Sequence, residues 1–252
     1  MADWSDLATE LAVWDAARRP VTMWWRDDDA RRPGPCLDRL LSISEDAGVP
    51  VHLAVIPDGL DPALVASLHG APLAWVLQHG RSHRNYEPSG CHASEIGTHR
   101  ELSRQVQDLR AGWCALQAAR VPRLLPGLVP PWNRIAPETV AQLPRLGFRL
   151  LSTCFPRAVA YPVTGLLQVN IHVDPIHWKA GGGFRGQAWV LGAVIEHLQA
   201  RRLGHVDAAE PTGLLTHHAQ TDAATWAFVV QLLAFVRGRV RWIALREVLR
   251  HG

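Results

Sequence analysis

Lysine is almost missing from this chain: 26 residues are basic, and only Lys179 among them is a lysine. A Schiff-base mechanism would hang on that one amine. The arginines that carry the rest of the positive charge are scattered and the formal net charge is only +3, so the clustered cations of a nucleic-acid footprint are not there. No nucleic-acid partner is expected. Cysteine is sparse too, with Cys36, Cys91, Cys114 and Cys154 far apart and no Cys-x-x-Cys pair, which excludes a disulfide-dense scaffold. Free thiols of this kind suit a reducing compartment. No segment approaches the roughly 20 consecutive apolar residues that a membrane-spanning helix needs, and Met1-Ala2-Asp3-Trp4-Ser5-Asp6 carries acids where a secretory leader carries lysine or arginine. The expectation is a cytoplasmic protein without a membrane span. Repeats and low-complexity tracts are lacking, and Gly181-Gly182-Gly183 has no Gly-Lys-Ser/Thr ending, so it reads as a tight or flexible loop rather than a phosphate cradle.

What is present is alternation. The 252 residues, 48% hydrophobic and 19% charged, can bury one full core, and residues 1–252 are expected to form a single domain. Apolar β-like runs over 21–26, 49–56, 73–77, 124–129, 148–153, 167–173, 213–216 and 240–244 are separated by helical patterns over 36–47, 94–119, 137–146, 186–202 and 222–236, after an opening helix over 5–18. Gly48, Gly147 and Gly204 stand where C-terminal caps belong. Continuous apolar strands joined by helices make a parallel sheet covered on both faces. Repeated this often, they predict an α/β fold, a (β/α) barrel of about seven strands.

In such barrels the carboxyl ends of the strands hold the site. Those ends read Asp27-Asp28-Asp29, His79 with His83, Pro130-Pro131-Trp132-Asn133, Asp174 and His217-His218. A divalent ion accepts imidazole and carboxylate ligands and leaves positions open for water and substrate. His79 and His83, four apart, could hold it from one helical turn. The acidic triplet would give one member as a ligand and one as a base, although aspartates after a strand also cap helices. A histidine at 217 or 218 could protonate a leaving amine near neutral pH. With eleven tryptophans, Trp24, Trp75, Trp189, Trp226 and Trp242 read as core, leaving Trp132 and Trp178 as candidates to touch a ligand. His92, His99, His172 and His177 read as structural or supporting.

Taken in order, these segments resemble the polysaccharide deacetylase family of carbohydrate esterases, over about residues 21–219. Arg26-Asp27-Asp28-Asp29-Ala30 stands for the family's Thr-Phe-Asp-Asp-Gly. Two registers are open: Ala30 on the motif's glycine makes Asp28 the base and Asp29 the ligand, and Arg26 on its phenylalanine shifts both back by one. The first is adopted, with Asp27 as a supporting residue. His79-Gly80-Arg81-Ser82-His83 is similar to His-Ser/Thr-x-x-His, with glycine in place of the hydroxyl residue. Leu128-Val129-Pro130-Pro131-Trp132-Asn133-Arg134 keeps the prolines and aromatic of the third motif but not its upstream arginine, so either Arg26 or Arg134 holds the catalytic aspartate or the base is tuned differently. Asp174-Pro175-Ile176-His177-Trp178 matches Asp-x-x-x-Trp, and Leu215-Thr216-His217 matches Leu-x-His.

The resemblance implies a distorted (β/α) barrel and a metal-dependent hydrolase that takes an N-acyl group, N-acetyl first, from an amino sugar or related small amide. A divalent ion, zinc in the first instance, would sit on Asp29, His79 and His83. Asp28 would take a proton from the attacking water, and His217 would give one to the departing amine. An N–H near Pro131 or Trp132 would share the oxyanion charge, and Trp132 and Trp178 would face the sugar. The alternatives are a sugar-binding barrel without turnover, favoured by the missing arginine, and a metal-independent glycoside hydrolase with two opposed carboxylates.

Overall fold

A computed structural model describes residues 1–249. The chain alternates as α1 (Trp4–Ala16), β1 (Val21–Ala30), α2 (Pro35–Ala47), β2 (Val51–Val55), α3 (Pro62–His69), β3 (Ala74–His79), α4 (Leu102–Ala118), β4 (Leu124–Val129), α5 (Pro137–Val140), β5 (Leu150–Leu151), β6 (Leu167–Gln168), α6 (Gln187–Leu203), β7 (Thr212–Thr216), α7 (Ala223–Phe235), β8 (Val240–Trp242) and α8 (Leu245–Leu249). Local chemistry explains several boundaries. Asp3 caps α1 by accepting from the amides of Ser5 and Asp6 while the Asp6 side chain accepts from the Asp3 amide, a capping box. Pro35 opens α2, and Gly48 closes it in the left-handed conformation at φ 67°.

All ladders are parallel and run β6-β5-β4-β3-β2-β1-β7, with β8 pairing beside β1. Beyond β6 the chain stays extended. Val173 bridges Leu214 in parallel, and Leu215 donates to the Val173 carbonyl at 2.8 Å, so this continuation carries the curved sheet round toward β7. The result is the expected distorted (β/α) barrel. Its helix-facing core runs from Leu7, Leu11 and Trp14 of α1 through Trp25 of β1 and Val51, Leu53 and Val55 of β2 to Val229 and Leu232 of α7. A second cluster with Trp24, Leu77, Val129 and Leu215 lies on the other face.

Three differences from the sequence expectation matter for the site. The first strand does not stop at Arg26; it continues to Ala30, and Asp27 and Asp28 are buried in it. The helix expected from residue 94 begins at Leu102, which leaves residues 80–101 as a long loop. Two short helices, α3 and α8, were not anticipated.

Candidate active site

The acidic triplet points three ways. Side chains alternate along a strand, so Arg26 and Asp28 share one face and Asp27 takes the other. Arg26 Nη2 donates to Asp28 Oδ2 at 3.0 Å, and Nε stands 2.9 Å from Oδ1 without hydrogen-bond alignment. Asp27 accepts from Thr216 Oγ1 at 2.6 Å and lies 2.5 Å from His218 Nδ1. Regular alternation would send Asp29 after Asp27. Instead Asp29 takes a left-handed φ of 72° where the ladder to β2 slips register between Asp27 and Ala30, a bulge that re-aims the side chain. Its Oδ1 comes to 3.1 Å from His79 Nε2 and 3.2 Å from His83 Nε2.

His79 is the last residue of β3, and its Nδ1 lies 2.9 Å from the Val129 carbonyl. That bond places the proton on Nδ1 and leaves Nε2 free to ligate. His83 arrives differently from the expectation. Residues 80–83 form no helical turn: Gly80 and His83 both have left-handed φ, 53° and 57°. The bend closes on Glu95, which is buried and accepts from the amides of Arg81, Ser82 and His83 at 3.2, 2.8 and 3.2 Å. Glu95 was not singled out from the sequence, because it fell within the helix expected over 94–119 while its partners lie across the preceding loop. An acid following the His-x-x-x-His segment was its only trace.

Electrostatics fit a cation here. Burial raises the Asp29 carboxyl, but the hydrogen bond and charge of His79, with the charges of His83 and His217, outweigh it and hold Asp29 below the usual carboxylate range. Burial and the charge of His79 push His83 down, favouring the neutral ligating form. For His79 burial acts downward, and the hydrogen bond its protonated ring donates to Asp29, with the charges of Asp28 and Asp29, overrides it, raising this group. One carboxylate oxygen and two imidazole nitrogens, all within 4.8 Å of one another, are a borderline-metal donor set with room for further ligands. These residues fit a divalent ion. Two other groups gather comparable donors, Glu87-Cys91-His99 on the outer loop and His172-His197-Glu210. In the latter the two imidazoles stack, 3.5 Å between centroids and 20° between planes, so their in-plane lone pairs run side by side rather than converge.

The trio opens into a cavity of about 1030 Å³ that is also lined by Asp28, Trp132, Asn133, Arg134, Asp174, Trp178, Trp189 and His217. The remaining sequence-predicted residues fall as follows. Arg26, fully buried, also donates to Asn133 Oδ1 at 2.6 Å and Ser152 Oγ at 2.8 Å. It is thus the arginine that holds Asp28, whereas Arg134 donates to the Ala93 carbonyl at 2.9 Å. Pro131 is buried against Gly80, and having no N–H it leaves the Trp132 amide as the donor of that pair. Trp178 Nε1 donates to Asp174 Oδ2 at 2.7 Å, and its ring stands edge-on to His217 at 4.8 Å. Burial raises the Asp174 carboxyl against the opposing charge of His217. Trp189 corrects the expectation of a core residue: it is 42% exposed, lines the cavity and stacks under Arg185 at 3.4 Å. Trp24 and Trp226 are buried as expected. Five non-glycine residues with left-handed φ, Asp29, His83, Trp132, Asn133 and Phe155, line this one cavity, a concentration of backbone strain typical of functional sites.

No family sequence profile matches the chain, and no curated protein sequence does. Solved structures match in fold. A family 4 carbohydrate esterase from Streptomyces lividans, in complex with acetate, gives a TM-score of 0.55 at 15% identity over 87% of this chain and 89% of its own. A Mycobacterium smegmatis protein provisionally assigned as a polysaccharide deacetylase gives 0.63 at 16% identity over 92% and 90%. A Bacillus anthracis pseudoenzyme of carbohydrate esterase family 4 gives 0.53 at 14% identity over 86% and 61%. At these identities the likeness establishes the fold, the one anticipated from the ordered motifs. Because that fold carries both deacetylases and a pseudoenzyme, activity must be argued from the site.

Proposed function

We propose that this protein is a metal-dependent hydrolase that removes an N-acyl group, N-acetyl in the first instance, from an amino sugar or a related small amide. The observation that carries the reading is the convergence of Asp29, His79 and His83 beside an Asp28 held by Arg26, in one cavity with His217. A divalent ion on Asp29, His79 and His83, zinc in the first instance, would supply Lewis acidity toward the amide carbonyl and the attacking water. The chain's own residues do the rest. Asp28, fixed by the buried guanidinium, takes the proton from water. The Trp132 amide offers a hydrogen bond to the oxyanion. His217 gives a proton to the departing amine nitrogen, and Trp132, Trp178 and Trp189 offer flat faces to a sugar ring.

The reading without turnover drew on the missing upstream arginine, and the Arg26–Asp28 pair removes that ground. A two-carboxylate glycoside hydrolase loses support because Asp29 is tied to two imidazoles. Four free cysteines, three of them exposed, support a reducing compartment such as the cytoplasm. The test is metal removal. Chelated protein should be inactive on N-acetylated amino sugars and small cyclic amides and regain activity with zinc, and Asp28→Asn should abolish turnover while keeping the ion. Protein that binds no zinc and gains no activity from it overturns the proposal.

A further inference from the structure

The structure assigns to Glu95 the task of positioning His83, and so of completing the metal site; the inference rests on the metal-site reading proposed above. Glu95 is only 1% exposed and lies outside the donor set. Its carboxylate is nevertheless ringed by the turn that carries His83: the amides of Arg81, Ser82 and His83 and the Ser82 hydroxyl, at 3.1 Å, all aim at it. Successive N–H groups converging on one anion form a nest, and bonds to an ionised acceptor are the strong ones. The nest dictates the path of the turn. With the chain wrapped around Glu95, His83 takes its left-handed φ and its Nε2 reaches Asp29 beside His79.

Gly80 belongs to the same device. A Cβ there would stand 2.1 Å from Glu95 Oε2 and 2.7 Å from Pro131, and its φ of 53° is one that glycine adopts without strain. Glycine therefore occupies the position where the resemblance expects a hydroxyl residue because the carboxylate fills the space a side chain would take. Glu95 touches no reacting group; it acts through the backbone.

The experiment measures zinc affinity by competition with a chelator, and amide exchange of the chelated protein, for the wild type, Glu95→Gln, Gly80→Ala and His79→Gln, with Glu101→Gln, exposed at the end of the same loop and outside the donor groups, as a control. The isosteric Gln keeps one acceptor oxygen and turns the other into a donor facing N–H groups. Glu95→Gln and Gly80→Ala should each weaken zinc binding by about 10- to 100-fold, the usual effect of losing a group that orients a ligand, while Glu101→Gln binds as the wild type does. A Glu95→Gln protein that binds zinc as tightly as the wild type, when His79→Gln has lost it, overturns the inference and leaves the metal site standing. If the wild type binds no zinc, the functional reading fails separately, and amide exchange decides for Glu95. Exchange at Ser82 and His83 accelerated by about tenfold or more in Glu95→Gln supports its role; unchanged exchange overturns it.

Discussion

Arg26 and Asp28, two residues apart on one face of β1, form a buried ion pair whose guanidinium also reaches Asn133, Ser152 and Thr153. One arginine thus ties the proposed base to two other strand ends. Lysine cannot reproduce this, since a single ammonium lacks the planar fork. Arg26→Lys should lower kcat by about 100-fold or more, the scale of a misplaced general base, with zinc affinity held near the wild-type value. Arg26→Ala should in addition destabilise the fold by about 3 to 5 kcal/mol by leaving a buried carboxylate unpaired. Steady-state kinetics and urea unfolding check both, and a Lys variant of normal kcat would show that the pair is not catalytic.

Trp178 donates to Asp174 while standing edge-on to His217. Trp178→Phe keeps the ring but deletes the donor, removing an influence that lowers the Asp174 carboxyl. That carboxyl then rises further, so the acid limb of the kcat profile should move to higher pH, with kcat falling about tenfold, the worth of one hydrogen bond to a charged group. Zinc affinity should not change. A profile that coincides with the wild type would separate Asp174 from the chemistry.

Asp29, His79 and His83, the proposed ligands, could be picked out because their signals were local: a triplet and a pair, each leaving an apolar strand, and the fold brings them together. What escaped depended on contacts made across the fold. The bulge that turns Asp29 away from Asp27 is a matter of register with β2, and nothing in Arg26-Asp27-Asp28-Asp29 encodes it alone. Glu95 reaches the site through a loop whose last residues, 94–101, read as the start of the helix that begins at Leu102. Strands β5 and β6 shrink to two residues each, and beyond them Cys154 and Ile171 meet in a single parallel bridge where apolar runs suggested ladders. Trp189 read as core since tryptophan usually is buried, yet α6 turns it into the cavity beside Arg185.

Gly213 marks where the barrel draws together. An added Cβ would meet the Asn170 carbonyl at 2.5 Å, Trp24 Nε1 at 2.6 Å and Ile171 Cα at 2.7 Å, on the site of the 2.9 Å bond from Trp24 Nε1 to Asn170. Gly213→Ala should destabilise by roughly 2 to 4 kcal/mol, overpacking plus a lost buried hydrogen bond. Thermal unfolding of the metal-free protein measures this without reference to activity. A midpoint within a degree of the wild type would mean that the continuation of β6 moves aside freely.

His52, in β2, is fully buried with both ring nitrogens engaged: Nδ1 lies 2.9 Å from the Trp25 carbonyl, and Nε2 accepts from the Leu245 amide at 2.9 Å. Nδ1 therefore carries the proton and the ring is neutral. Burial pushes its pKa down to about 4, against smaller upward influences from the Trp25 carbonyl and Glu247, whereas the unfolded chain titrates near 6.5. Between those values the unfolded state takes up a proton that the folded state refuses, so the contribution is complete above about pH 6.5 and is lost as pH falls toward 4. By pH 5 the loss from this residue should reach roughly 2 kcal/mol. His52→Gln can keep a donor toward Trp25 and an acceptor toward Leu245 but does not titrate. Urea unfolding at pH 7 and pH 5 should therefore show a smaller loss of stability in the variant than in the wild type, by about that amount. Equal losses would mean that His52 is protonated within the fold, and the Leu245 amide would then have no acceptor on the ring.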